Sequence, residues 1–190
     1  MASKKTLNAK NLEALGTERL AELLIEISTG DAAAKRRLRM ELAAAQSPTD
    51  LAKEVRKRLA TIARSQSFVD WQGVRSLAND LDIQRQAIVE TVAKADPREA
   101  LELLWRFMAL AGSVFDRSDD GSGIISSVFH EACEDIGEVA VRAKVDPVDF
   151  ADRVYDALVA NDYGQYDGLI DTAAPALGPR GLEHLKQRMI

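Results

Sequence analysis

The chain has 190 residues, a net charge of −5, 29% charged and 46% hydrophobic residues, and only 5% aromatic ones. A chain of this length can remove roughly 70% of its unfolded surface from water in one domain, so it needs neither disulfide nor metal to fold. The single cysteine excludes an internal disulfide and a cysteine-based zinc site. The acidic balance argues against a general polyanion binder, and no run of about 18 apolar residues offers a membrane span.

The apolar spacing is helical almost throughout, with no alternating strand of five residues. Asn8 can cap a short helix that Gly16 ends, and Thr17 can cap ERLAELLIEIS, which Gly30 closes. Asp31 opens AAAKRRLRMELAAAQ, and Ser47 with Pro48 opens TDLAKEVRKRLATIARSQ. A longer pattern runs from Trp71 to Ala95, with Val74, Leu77, Leu81, Ile88 and Val92 on one stripe. Trp71 and Trp105 fall on apolar stripes and are expected in the core. Asp96 with Pro97 opens REALELLWRFMALA, GIISSVFHEACEDIGEVAVRAK follows an aspartate-rich loop, and Asp146 with Pro147 opens VDFADRVYDALVAND. Two shorter helices are predicted near 166–177 and 180–190, so the fold class is all-α.

Three helix starts are alike. SPTDLAKEVRKRL, DPREALELLWRFM and DPVDFADRVYDAL begin at 47, 96 and 146. Each places a cap residue before a proline and an acid two residues after it. The cap oxygen accepts an orphan amide, proline loses nothing there, and the acid meets the positive helix end. Seven and eleven residues beyond the prolines, Val55, Leu104 and Val154, then Leu59, Met108 and Leu158, fall on one helical face. The spacing predicts stacked antiparallel helical hairpins, an α-solenoid with repeats of about 50 residues at 47–95, 96–145 and 146–190 after N-terminal helices in 1–46. Cap-Pro-x-acid is also simply a good helix start, used three times.

Charge is uneven. Residues 1–64 hold 13 Lys and Arg against 8 Asp and Glu, whereas residues 116–171 hold 4 against 14. The basic runs KRRLR (35–39) and RKR (56–58) can meet phosphates through Lys35, Arg36, Arg37, Arg39, Arg56, Lys57 and Arg58. Interleaved Glu41, Asp50 and Glu54, and the lack of aromatics for base stacking, favour a solvated face with local ion pairs.

The loop DRSDDGSG follows an EF-hand as far as Asp116, Ser118, Asp120 and Gly121, but position twelve is Ser127 where calcium needs a glutamate. A turn is the plainer reading, with Ser122 capping the next helix and Asp119 and Asp120 favouring its dipole. HEACE lacks the second histidine of a zincin, although His130, Cys133 and Glu134 share a helix face. No nucleophile elbow, SxxK or dinucleotide fingerprint occurs, so no catalytic residue, metal ligand or cofactor is predicted. In NDYGQYDG (161–168), Tyr163 and Tyr166 can anchor a partner, or plug the end of a helical stack with a hydroxyl on a backbone carbonyl.

Together RSQSFVDW, ADPREALELLWRFMALAGSVFDRSDDGSG and DYGQYDGLIDTAAPALGPRGLEHL resemble an uncharacterised bacterial all-helical family, a domain of unknown function. The resemblance covers most of the chain and implies helical repeats. It implies longer members, of which this chain is the N-terminal part, as the ending LEHLKQRMI inside a helical pattern also suggests. It brings no activity, cofactor or partner. The expectation for function is a cytoplasmic, non-enzymatic protein–protein interaction or scaffold module. Its partner is an unidentified protein or a second copy, reached through Arg36, Arg37, Arg56, Lys57, Asp119, Asp120, Tyr163 and Tyr166. The alternatives are a nucleic-acid-associated protein using helices 35–39 and 53–58, and a metal-dependent hydrolase or metal-binding protein around Asp116, Asp119, Asp120, His130 and Glu134.

Overall fold

A computed structural model describes residues 6–190. The lysine-bearing start, residues 1–5, lies outside the described residues. Among these, the structure is all-helical apart from one bridge pair, Val69 with Ser118. Two compact units divide the chain, Met1–Leu42 and Ala43–Ile190.

The first unit holds α1 (Ala9–Glu13), α2 (Thr17–Ser28) and most of α3 (Ala32–Gln46). Asn8 caps α1 by accepting from the Asn11 amide at 2.9 Å, and Asp31 caps α3 from the Ala33 and Ala34 amides at 2.8 and 3.0 Å. Thr17 does not cap α2. It is the first helical residue, and Gly16 (φ 82°) stands at the cap with no side chain to give.

The second unit continues with α4 (Pro48–Ala63), α5 (Val74–Gln86), a π-helical segment (Ala87–Val92), the closing turn α6 (Ala93–Ala95), α7 (Pro97–Met108), α8 (Ala111–Phe115), α9 (Ile124–Ala143), α10 (Pro147–Val159) and α11 (Leu169–Arg188). The three matching starts cap as their sequence dictates. Ser47 Oγ accepts from Asp50 N at 3.1 Å, Asp96 Oδ1 from Glu99 N at 3.0 Å, and Asp146 Oδ1 from Val148 N at 2.8 Å. The π segment keeps α5 running into α6; its last turn ends with the Ala93 amide on the Ile88 carbonyl. α11 is two helices joined across a kink at Gly178 (φ 55°), between Pro175 and Pro179, as two short helices at 166–177 and 180–190 anticipate.

The core lies where α7 and α11 both pack on α9. Phe107 and Phe129 are fully buried with centroids 5.3 Å apart, and Phe115 meets Phe129 at 5.3 Å. Leu103, Leu104, Ile125, Ile136, Leu169 and Leu177 fill the remainder. Gly137 lets α9 approach α11 so closely that a Cβ there would overlap the Thr172 carbonyl. α4 packs on the π segment and α7, α5 packs on α9, and α10 packs on α11. Polar contacts tie these layers: Arg85 reaches Asp135 at 2.8 Å and Glu131 at 2.7 Å, Arg142 the Ala93 carbonyl at 3.0 Å, and Arg56 Glu99.

Candidate functional site

Two loops of the second unit are laced together by backbone. The Val69 amide donates to the Arg117 carbonyl at 2.8 Å, and the Asp119 amide donates back to the Val69 carbonyl at 3.0 Å. Arg117 extends its guanidinium onto the Ser67 carbonyl at 3.2 Å. This pins residues 65–73, which precede α5, against the aspartate loop that precedes α9.

Each loop then turns into its helix by an aspartate. Asp70 Oδ1 accepts from the amides of Gln72 and Gly73 at 3.1 and 3.0 Å, a turn that starts α5. Asp120 accepts from Ile125 N at 3.2 Å and Ser126 N at 2.9 Å, and Gly123 takes the left-handed φ of 71° that lets the chain double back. Gly123 therefore stands at the cap of α9, and the first-turn amides are met by Asp120 and not by Ser122, whose shorter side chain makes no such bond.

Between the loops lies an open cavity of about 660 Å³ lined by Trp71, Gln72, Val74, Arg75 and Asp119, with Gly121, Ser122 and Ile124. Trp71 is the departure from sequence expectation. It lies in the turn before α5, outside the helical stripe, and is 72% exposed. Phe68, three residues earlier, is exposed as well. Neither the Arg75 guanidinium nor the Asp119 carboxylate makes a hydrogen bond or ion pair with any described residue, and they do not pair with each other. An indole, a cation and an anion thus face one concave space with their capacity unspent. The wall holds no histidine, cysteine or lysine, so it offers binding groups and no general base beyond one carboxylate.

The other predicted residues lie elsewhere. Arg37 pairs with Glu41 at 2.9 Å, Lys57 with Glu54 at 2.6 Å, Arg56 with Glu99, and Arg58 Nε with Asp80 at 2.8 Å. Arg36 is half-buried, and Lys35 and Arg39 are exposed. Tyr166 is buried against Trp105, centroids 6.2 Å apart, and burial pushes its hydroxyl up to about 12. It belongs to the core, not to a partner surface. Tyr163 stacks on Phe115 at 5.2 Å, and its hydroxyl donates to the Asp116 carboxylate, not to a backbone carbonyl. That carboxylate raises the hydroxyl's pKa by holding the proton in place.

The metal reading finds no assembled ligand set. Asp116 holds Tyr163, Asp120 holds backbone, His130 Nε2 lies 3.3 Å from the Gly164 carbonyl, and Cys133 is buried. Among the described residues no three His, Cys, Asp or Glu side chains are grouped to hold an ion. Burial raises the Cys133 thiol to about 12, which makes it a small hydrophobe. No described helix is long and apolar enough to cross a membrane.

A family model described as "Family of unknown function (DUF6880)" matches residues 2–190, and the chain belongs to that family. No curated protein and no solved structure matches it.

Proposed function

We propose that this chain is a non-enzymatic interaction module, and that the cleft at Trp71 receives a short segment of a protein partner. The observation that carries the reading is the pairing of an exposed indole with two opposite, unspent charges in one cavity. Several other arginines of the second unit meet acids: Arg56 with Glu99, Arg85 with Asp82, Glu131 and Asp135, and Arg153 with Glu102. A tryptophan exposed beside a concave wall is the residue type that dominates binding hot spots. The segment that fits places an apolar side chain on Trp71, Val74 and Ile124, an acid at Arg75 and a base at Asp119. The cavity falls in the size range of ligand sites.

The scaffold for this is a stack of helical hairpins, α4 with α5, α7 with α9, and α10 with α11. Two observations support it. Each hairpin packs on the next in sequence. Three of the polar contacts between hairpins also keep the sequence period: Arg85 to Asp135 spans 50 residues, Arg142 to Ala93 spans 49, and Arg153 to Glu102 spans 51. A contact repeated at one repeat length is what nearest-neighbour stacking produces. A protonated, buried Cys133 suits a cytoplasmic protein.

The test is selection of phage-displayed peptides on the intact chain. Enriched peptides should share an apolar residue flanked by an acid and a base, and Trp71→Ala should weaken them by roughly 30-fold or more. Arg75→Glu should lose peptides through the acid, and Asp119→Lys through the base. Peptides that hold Trp71→Ala as tightly as the parent would sink the reading.

A further inference from the structure

Residues 6–42 make three helices and bury almost nothing. Ser28 and Met40 are their only buried residues. Fewer than about 40 residues rarely bury enough surface to stand alone. Yet α2 has the pattern of a packing helix. Leu20, Leu23, Leu24 and Ile27 form one stripe, on which Leu24 is 49% and Ile27 70% exposed. Leu42, at the end of the unit, is exposed too.

The charges on the same unit say what fits there. α2 carries Glu18, Glu22 and Glu26 with only Arg19 against them, a net of −2. α3 carries Lys35, Arg36, Arg37 and Arg39 with only Glu41 against them, a net of +3. Arg19 and Glu22 pair locally, as do Arg37 and Glu41. Glu18, Glu26, Lys35 and Arg39 have no ion pair with any described residue. The unit therefore carries an acidic helix, a basic helix and an apolar stripe whose Leu24 and Ile27 are exposed while Leu20 and Leu23 are half-buried. Such a unit is complementary to itself in charge, as a two-fold interface requires.

We propose that this N-terminal unit is a dimerisation element. Two copies of the chain meet around a two-fold axis through α2 and α3. The Leu24 and Ile27 stripes are buried in the junction, and the acidic α2 of each copy faces the basic α3 of the other. The apolar stripe supplies the affinity, and the charges set which helix meets which.

Sedimentation equilibrium of the full chain tests this. A dimer is expected in the micromolar range. Leu24→Asp with Ile27→Asp should return it to monomer, while far-UV circular dichroism and melting show the rest of the chain still folded. Glu18→Lys with Glu26→Lys should weaken the dimer by tenfold or more. Lys35→Glu with Arg39→Glu, made in a second preparation, should do the same. Mixing the two reversed preparations should restore association as a heterodimer, because the pairing is then acid to base again. A chain that stays monomeric at 100 µM overturns the proposal, and so does a dimer that ignores either the apolar or the charge changes.

Discussion

Two amphipathic helices of this chain meet different fates. α9 is 20 residues long and buries ten of them, including Ile125, Phe129, Ile136 and Val139. α2 is 12 residues long, has a comparable apolar stripe, and buries only Ser28. Periodicity gives the position of a stripe on its helix and says nothing of what covers it. α9 is covered because α5, α7 and α11 converge on it. The covering neighbours are far away in sequence, so the two helices look alike until the chain is folded.

The largest expected effect belongs to the tightest covering. In Gly137→Ala the added methyl would overlap the Thr172 backbone carbonyl, and backbone cannot rotate away as a side chain can. Loss of about 3 kcal/mol or more is expected, read by urea unfolding, with failure to fold as the extreme. Gly181→Ala should act the same way more weakly, because its methyl would lie 2.7 Å from the Pro147 carbonyl. Loss of core volume comes next. Ile136→Ala should cost about 2–5 kcal/mol for a fully buried side chain.

Smaller effects test the entry to α9. Asp120→Ala removes the acceptor of two amides and should cost about 1 kcal/mol, while Ser122→Ala should be nearly neutral. A reversed order would return the cap to Ser122. The buried thiol on α9 gives a reading without mutation. With its pKa near 12 against the ordinary 9, Cys133 should react with a disulfide reagent at pH 8 far more slowly in the native than in the urea-unfolded chain, roughly 1,000-fold by thiolate fraction alone. The same shift has a signed effect on stability. Between pH 9 and 12 the unfolded thiol loses its proton while the folded one keeps it, so the unfolded state binds fewer protons and stability falls as pH rises.

The sequence spoke clearly where structure is local. Ser47, Asp96 and Asp146 cap their helices because a short polar side chain, a proline and an acid within one turn leave the backbone few alternatives. Trp71 misled because it falls in phase with the stripe of α5, yet Asp70 and Gly73 already spend the preceding backbone on a turn. The DxxG spacing around it was the available signal. Cap rules favour Ser122 as the nearer residue, whereas the left-handed Gly123 turns the more distant Asp120 carboxylate onto the helix. The cleft itself was not legible. It needs Trp71 and Arg75 beside Asp119, nearly 50 residues away, and no periodicity reports that meeting.

The smallest expected effect sharpens the opening contrast most directly. Ile27→Ala removes the same atoms as Ile136→Ala, so the transfer free energy of the side chain cancels between them. What differs is the covering. At protein concentrations well below that of self-association, Ile27 is largely in water, and its loss should change stability by less than about 0.5 kcal/mol. At high concentration the dimer adds stability by mass action, and the substitution should then lower the melting temperature of the parent-like state. A melting temperature that rises with protein concentration in the parent and stays flat in Ile27→Ala would show that the stripe on α2 is covered by a second copy. A large loss at every concentration would mean that the same chain covers it.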